Sequence, residues 1–220
     1  MKRPRRVIAL TVTGLGLAAS LALSGCSSDD TPEASDTGGP RVVAPGEPGE
    51  PAKTLTADEA KQARRDDSPN SADFAYVQMM IVHHRQALVM TGLAGRHADD
   101  KQVSRVAERI AAAQRPEIGA MDGWLSRYGG PREQQGHQHA EMPGMATASE
   151  LGRLRKARGT QFDELFLKLM IAHHNGAVTM ATDALSEGNN VLVEEMANDV
   201  IAQQSAEIAR MQKMREGTGD

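Results

Sequence analysis

Met80-Ile81-Val82-His83-His84-Arg85-Gln86-Ala87-Leu88-Val89-Met90 returns ninety residues later as Met170-Ile171-Ala172-His173-His174-Asn175-Gly176-Ala177-Val178-Thr179-Met180. Four of the chain's seven histidines lie in these two stretches. The correspondence extends outward without a gap: residues 73–124 overlay 163–214 with fifteen identities in 52 positions. Its second cluster, Gln114, Glu117, Ile118 and Met121, returns as Gln204, Glu207, Ile208 and Met211. A repeat of this length sets the architecture before any single residue is weighed.

Apolar residues in both copies recur at helical spacing, and no stretch alternates convincingly with period two. Thr56-Ala57-Asp58-Glu59 and Thr147-Ala148-Ser149-Glu150 are capping boxes that open short helices before each repeat. Ser71 is the expected cap of the next helix, which should run to Gly92 or Gly95. A second helix is expected from about 99 to 128, ended by Gly129-Gly130-Pro131. The second copy predicts helices near 161–187 and 191–215, separated by Gly188-Asn189-Asn190. The fold class is therefore all-α, a four-helix bundle made of two helical hairpins over residues 55–216.

At about 100° per residue, Tyr76, Met80, Ala87 and Met90 fall within roughly 60° of His83 on the stripe that faces the core. His84 lies at the edge of that stripe beside Asp73. His173 and His174 repeat the arrangement with Phe166, Met170, Ala177, Met180 and Asp163. Glu117 and Glu207 sit centrally in the stripes of the following helices. A lone carboxylate in a bundle core costs several kcal/mol, by order of magnitude, unless it is paired, protonated or bound to a cation. Two readings follow: each Glu holds a His as a structural pair, or His, Glu and Met together hold a soft or borderline metal such as copper. The methionines, taken singly, read equally well as core filling.

The ends of the chain set further bounds. Lys2, Arg3, Arg5 and Arg6 precede an apolar run, and Leu23-Ser24-Gly25-Cys26 resembles the lipobox of bacterial lipoproteins. That resemblance implies cleavage after residue 25, lipid attachment at Cys26 and a place on the outer face of the membrane. Cys26 is the only cysteine, so disulfides, zinc–thiolate sites and a cysteine nucleophile are excluded from the rest of the chain. Loss of the four leader cations takes the formal net charge from −4 to −8, which argues against nucleic acid. Residues 26–54, rich in Ser, Asp, Gly and Pro, are expected to be an unstructured tether. Between the repeats, Gly136-His137-Gln138-His139-Ala140-Glu141-Met142-Pro143-Gly144-Met145 reads as an exposed, flexible ligand arm or as an ordinary His-rich linker.

The pattern from Phe166 through Met170, His173, His174, Gly176 and Met180, followed by Gln204, Glu207, Ile208 and Met211, resembles the "domain of unknown function 305" family. The resemblance covers most of residues 70–215. It implies a ferritin-like bundle, usually exported, with some members linked to copper binding and tolerance. The first copy departs from the pattern in Arg85-Gln86 and in Pro116, which is expected to kink its helix.

The expectation is an extracytoplasmic lipoprotein that binds copper, as Cu(I), for buffering or delivery to a copper-handling partner rather than for catalysis. One expected ligand set is Met80, His83, His84, Met90, Glu117 and Met121; the other is Met170, His173, His174, Met180, Glu207 and Met211. His137, His139, Met142 and Met145 would capture or pass on the ion. A ferroxidase-like enzyme is the alternative, although no Glu is followed three residues later by His as di-iron bundles require. A purely structural or interaction bundle is the third reading.

Overall fold

The computed structural model describes residues 40–64, 66–130 and 142–217. Cys26 and the leader lie outside these residues, as do His137 and His139. The contacts divide the chain into two units, residues 1–64 and 65–220.

In the first unit, β1 (Arg41–Ala44) pairs antiparallel with β2 (Lys53–Thr56), Arg41 opposite Thr56 and Ala44 opposite Lys53. This hairpin falls inside the segment expected to be an unstructured tether. Val42, Val43 and Leu55 supply strand-forming side chains, and the Pro- and Gly-rich stretch between them turns the chain. Thr56 closes the expected capping box with Glu59 and starts α1 (Ala57–Gln62).

The second unit is the four-helix bundle, with α2 (Ser71–His97), α3 (Lys101–Tyr128), α5 (Thr160–Glu187) and α6 (Val191–Gly217) as its long helices. The short α4 (Ala148–Lys156) precedes the second hairpin, opened by the Thr147–Glu150 capping box. Within each hairpin α2 packs on α3 and α5 on α6; between hairpins the main contact is α2 against α5. The His-His helices therefore form the central seam, and the Glu-bearing helices touch only slightly. α3 runs as one helix through Pro116.

Two boundaries of α2 differ from expectation. α2 is capped by Asn70 rather than Ser71, with Asp73 returning to the Asn70 amide. It also continues past Gly92 and Gly95 to His97. Asp73 is fully buried, and its carboxylate also accepts from the backbone N–H groups of Asn189 and Asn190 at the turn that opens α6. Its counterpart Asp163 accepts from the N–H groups of Asp99 and Asp100 at the start of α3. Each long first helix thus carries a carboxylate that caps the second helix of the other hairpin, where the positive end of the helix dipole favours it. Gly188 is required here, because a Cβ would stand 2.6 Å from the Asp73 carboxylate.

Asp73→Ala leaves several inward-facing N–H groups without an acceptor. It should lower unfolding free energy by about 2–4 kcal/mol, measured by urea denaturation, with Asp73→Asn intermediate. A loss within error of zero would mean that the clamp is incidental.

Candidate metal centre

The helical repeat explains how the imidazoles are presented. His83, central on the stripe of α2, faces α5; its neighbour His84, one residue around, faces α3 of its own hairpin. His173 and His174 do the same from α5. All four side chains are fully buried. Across the seam the His83 and His173 rings lie with centroids 3.7 Å apart and planes inclined by 34°. His84 Nε2 is 2.8 Å from Glu117 Oε2, and His174 Nε2 is 2.7 Å from Glu207 Oε2. His83 Nε2 donates to the Pro143 carbonyl at 3.1 Å.

These partners commit one nitrogen of His83, His84 and His174 and leave the other, while His173 has no hydrogen-bond partner among the described residues. A carbonyl only accepts, so His83 carries its proton on Nε2 and presents a bare lone pair at Nδ1. Nδ1 has no hydrogen-bond partner in His83, His84, His173 or His174, and Nε2 of His173 has none either. Buried nitrogens without partners each cost about 1–3 kcal/mol. A carboxylate on one imidazole nitrogen with the other free is the arrangement that orients histidine toward a metal. Glu117 and Glu207, expected as direct ligands, are thus placed as partners that hold His84 and His174. Their exposure differs: the Glu117 side chain is 27% exposed and that of Glu207 only 8%.

Burial, reinforced by the neighbouring His84, pushes the pKa of His83 down to about 3, against a smaller opposing effect of the Pro143 carbonyl. Burial likewise holds His173 well below the ordinary histidine value, reinforced by His83, His174 and His84, with only the His83 backbone acting in the other direction. Both rings are neutral near pH 7, the protonation state a metal ligand needs. Among the described residues no three His, Cys, Asp or Glu side chains converge as they would around an ion. A ligand set built here must therefore include thioether sulfur or draw the imidazoles together.

The methionines are sorted differently from the expected sets. Met80, Met121 and Met180 share one apolar cluster with Met142, and Met145 packs against it. Met90, Met170 and Met211 share the other. Each group takes members from both hairpins, because α2 and α5 meet with the start of one beside the end of the other. The methionines of each expected ligand set are thus divided between the two clusters, while each His–Glu pair stays within its own repeat.

The linker also departs from expectation. Met142 is buried at 8% exposure and Met145 half-buried, rather than standing out on an exposed flexible arm. Residues 142–146 lie over the seam as a strap. A Cβ at Gly176 would overlap the Pro143 carbonyl, so only glycine lets the strap sit on α5. At the equivalent position of α2, Gln86 holds the strap by both amide atoms, Nε2 to Ala146 O at 2.9 Å and Oε1 from Ala146 N at 2.7 Å. The departure Gln86 for Gly is thereby explained: one hairpin yields space and the other supplies a clamp.

Sequence reasoning passed over three groups here. Gln114 and Gln204 are buried with both amide atoms unpartnered, and the Tyr76 hydroxyl is buried without a partner. For Gln114 and Gln204 the signal was present, as a polar residue recurring on an apolar stripe, whereas Tyr76 answers to Phe166 and gave none.

Two outcomes follow from this geometry. The unfolded chain binds protons below about pH 6.5 that His83 in the fold refuses until about 3. Stability of the metal-free bundle is therefore fullest above pH 6.5 and declines through that window on acidification, by up to about 1.4 kcal/mol per pH unit for each of His83 and His173. Urea unfolding at neutral and mildly acid pH tests this, and a profile unchanged by His173→Phe would contradict it. Gly176→Ala should cost about 1–3 kcal/mol, whereas Gly92→Ala, with open space around it, should be neutral or stabilising.

No curated protein matches this chain. Among solved structures, a DUF305 protein of Streptomyces coelicolor described as secreted is 33% identical, covering 66% of this chain and 90% of that one, with a TM-score of 0.62. A DUF305 fragment from Deinococcus radiodurans is 31% identical, covering 67% and 97%, with a TM-score of 0.62. CopM in its Cu(I)-bound form is 27% identical, covering 67% and 98%, with a TM-score of 0.57; it has also been solved with Cu(II) and with Ag bound. Residues 73–215 match the family described as Domain of unknown function (DUF305), and the chain belongs to that family.

Proposed function

We propose that the protein binds copper, as Cu(I), at the α2–α5 seam and serves as an extracytoplasmic copper buffer or donor. The observation that carries this reading is the set of buried, partnerless imidazole nitrogens at His83, His84, His173 and His174, flanked by two groups of methionines. Neutral imidazole and thioether suit Cu(I) and Ag(I), and methionine is a poor ligand for hard ions. CopM, which shares the bundle, has been solved with Cu and Ag bound. The ligands would be drawn from the four histidines with Met80, Met121, Met142 and Met180 on one side and Met90, Met170 and Met211 on the other, Glu117 and Glu207 fixing ring orientation. Met145, at the edge of the strap, and His137 and His139 would serve capture or release to a copper-handling partner.

The ferroxidase alternative is the weaker reading, since Glu117 and Glu207 are already committed to His84 and His174. No helix among the described residues is long and apolar enough to cross a membrane. Attachment would rest on lipid at Cys26, in keeping with the secreted relative.

Anaerobic competition against a chromophoric Cu(I) chelator should show tight binding by the parent chain. His83→Phe with His173→Phe should abolish it while circular dichroism stays helical. Glu207→Gln, which keeps the shape of the side chain, should weaken affinity about 10–100-fold. Parental affinity in both variants would overturn the assignment. Incorporation of labelled palmitate that is lost in Cys26→Ala tests the anchor.

A further inference from the structure

The two hairpins are equivalent in outline but not at their outer surface. Beside Glu117, where α3 meets α6, lies a cavity of about 120 Å³ lined by Tyr76, Glu117, Met121, Met196 and Asp199. Tyr76 lines it as a residue that is 2% exposed, with its hydroxyl buried and without a partner, and the charged residues lining it are carboxylates. Outward, the cavity continues into a groove of about 400 Å³ that shares Ala120, Met196 and Asp199 with it and is also lined by Glu195 and Arg127. Inward, Glu117 is bonded directly to His84.

The offset of ninety maps this mouth onto the other hairpin. There Phe166 replaces Tyr76, Val106 replaces Met196, Arg109 replaces Asp199 and Arg210 replaces Ala120. Only the inner Glu207 and Met211 are retained. One mouth therefore combines two carboxylates, two thioethers and a hydroxyl. Its counterpart has a single carboxylate, which is nearly closed off, and two exposed arginines.

We propose that the Tyr76–Glu117–Met121–Met196–Asp199 mouth is the entry route by which a soft monovalent cation reaches the imidazoles, so that loading proceeds from the His84 side. The inference rests on the copper-binding reading above. Paired carboxylates raise the local cation concentration and steer encounter. Thioethers then replace water on a soft ion, where a hard divalent ion would lose more hydration than sulfur returns. The Tyr76 oxygen is the next polar contact inward. At the other mouth Arg109 and Arg210 oppose approach.

The test is the rate of Cu(I) transfer from a weaker chromophoric chelator to the purified full chain, followed by stopped flow at low ionic strength. Asp199→Arg with Met196→Val, which installs the counterpart's residues, should slow uptake at least about tenfold. The end-point affinity should stay near that of the parent, and the difference should shrink as salt is raised. Asp199→Asn should slow uptake less, and Tyr76→Phe should slow it without lowering stability, since the hydroxyl it removes is unpaired. Arg109→Asp should leave the rate unchanged or faster. Parental rates in the mouth variants would overturn the route, and so would affinity falling in step with rate, which would make these residues ligands instead. A parent chain that takes up no Cu(I) removes the copper reading along with the route. A parent that binds, with variants equally fast, removes the route alone.

Discussion

The contact between α2 and α5 is the constraint on which the rest of the bundle depends. It brings His83 and His173 face to face in a space from which water is excluded, and burial makes charge on either ring unfavourable. The other features of the centre respond to that fact. His84 and His174 turn to their own hairpins and find carboxylates; His83 finds the strap carbonyl. What is left over is a set of nitrogen lone pairs in an apolar interior, an arrangement tolerated only when something compensates for it.

The compensation is partly structural. Asp73 and Asp163 tie each hairpin's first helix to the opening turn of the other's second, so the seam is bracketed at both ends by charge-assisted hydrogen bonds. The 142–146 strap covers the seam, seated on Gly176 and gripped by Gln86. A bundle held in this way keeps its polar interior while excluding solvent.

Two related hairpins need not do the same work. The first retains a partly exposed Glu117, a tyrosine and an acidic, sulfur-lined cavity; the second has a buried Glu207 and arginines outside. Pro116, where the second hairpin has Ala206, lies immediately before Glu117. It withholds one backbone hydrogen bond in the turn that presents that carboxylate.

The helices, their pairing into hairpins, the inward histidines and the family were legible in the sequence. Each depends on local periodicity, capping chemistry and an offset of ninety, which a single chain displays in full. Ser71 was taken for the cap that Asn70 provides, because two adjacent polar residues offer the same local chemistry. The carboxylates of Asp73 and Asp163 read only as stripe-edge residues, because their partners lie across the bundle. The methionines were grouped by repeat, whereas antiparallel packing of α2 on α5 groups them across repeats. The same distinction accounts for the strap, which looked solvated because nothing local shows that Gly176 leaves a place for it. Spacing along a helix decides which way a side chain faces, and the sequence by itself determined that much. Which groups meet there and which lone pairs remain unpaired depend on contacts between distant segments, and only the tertiary structure decided them.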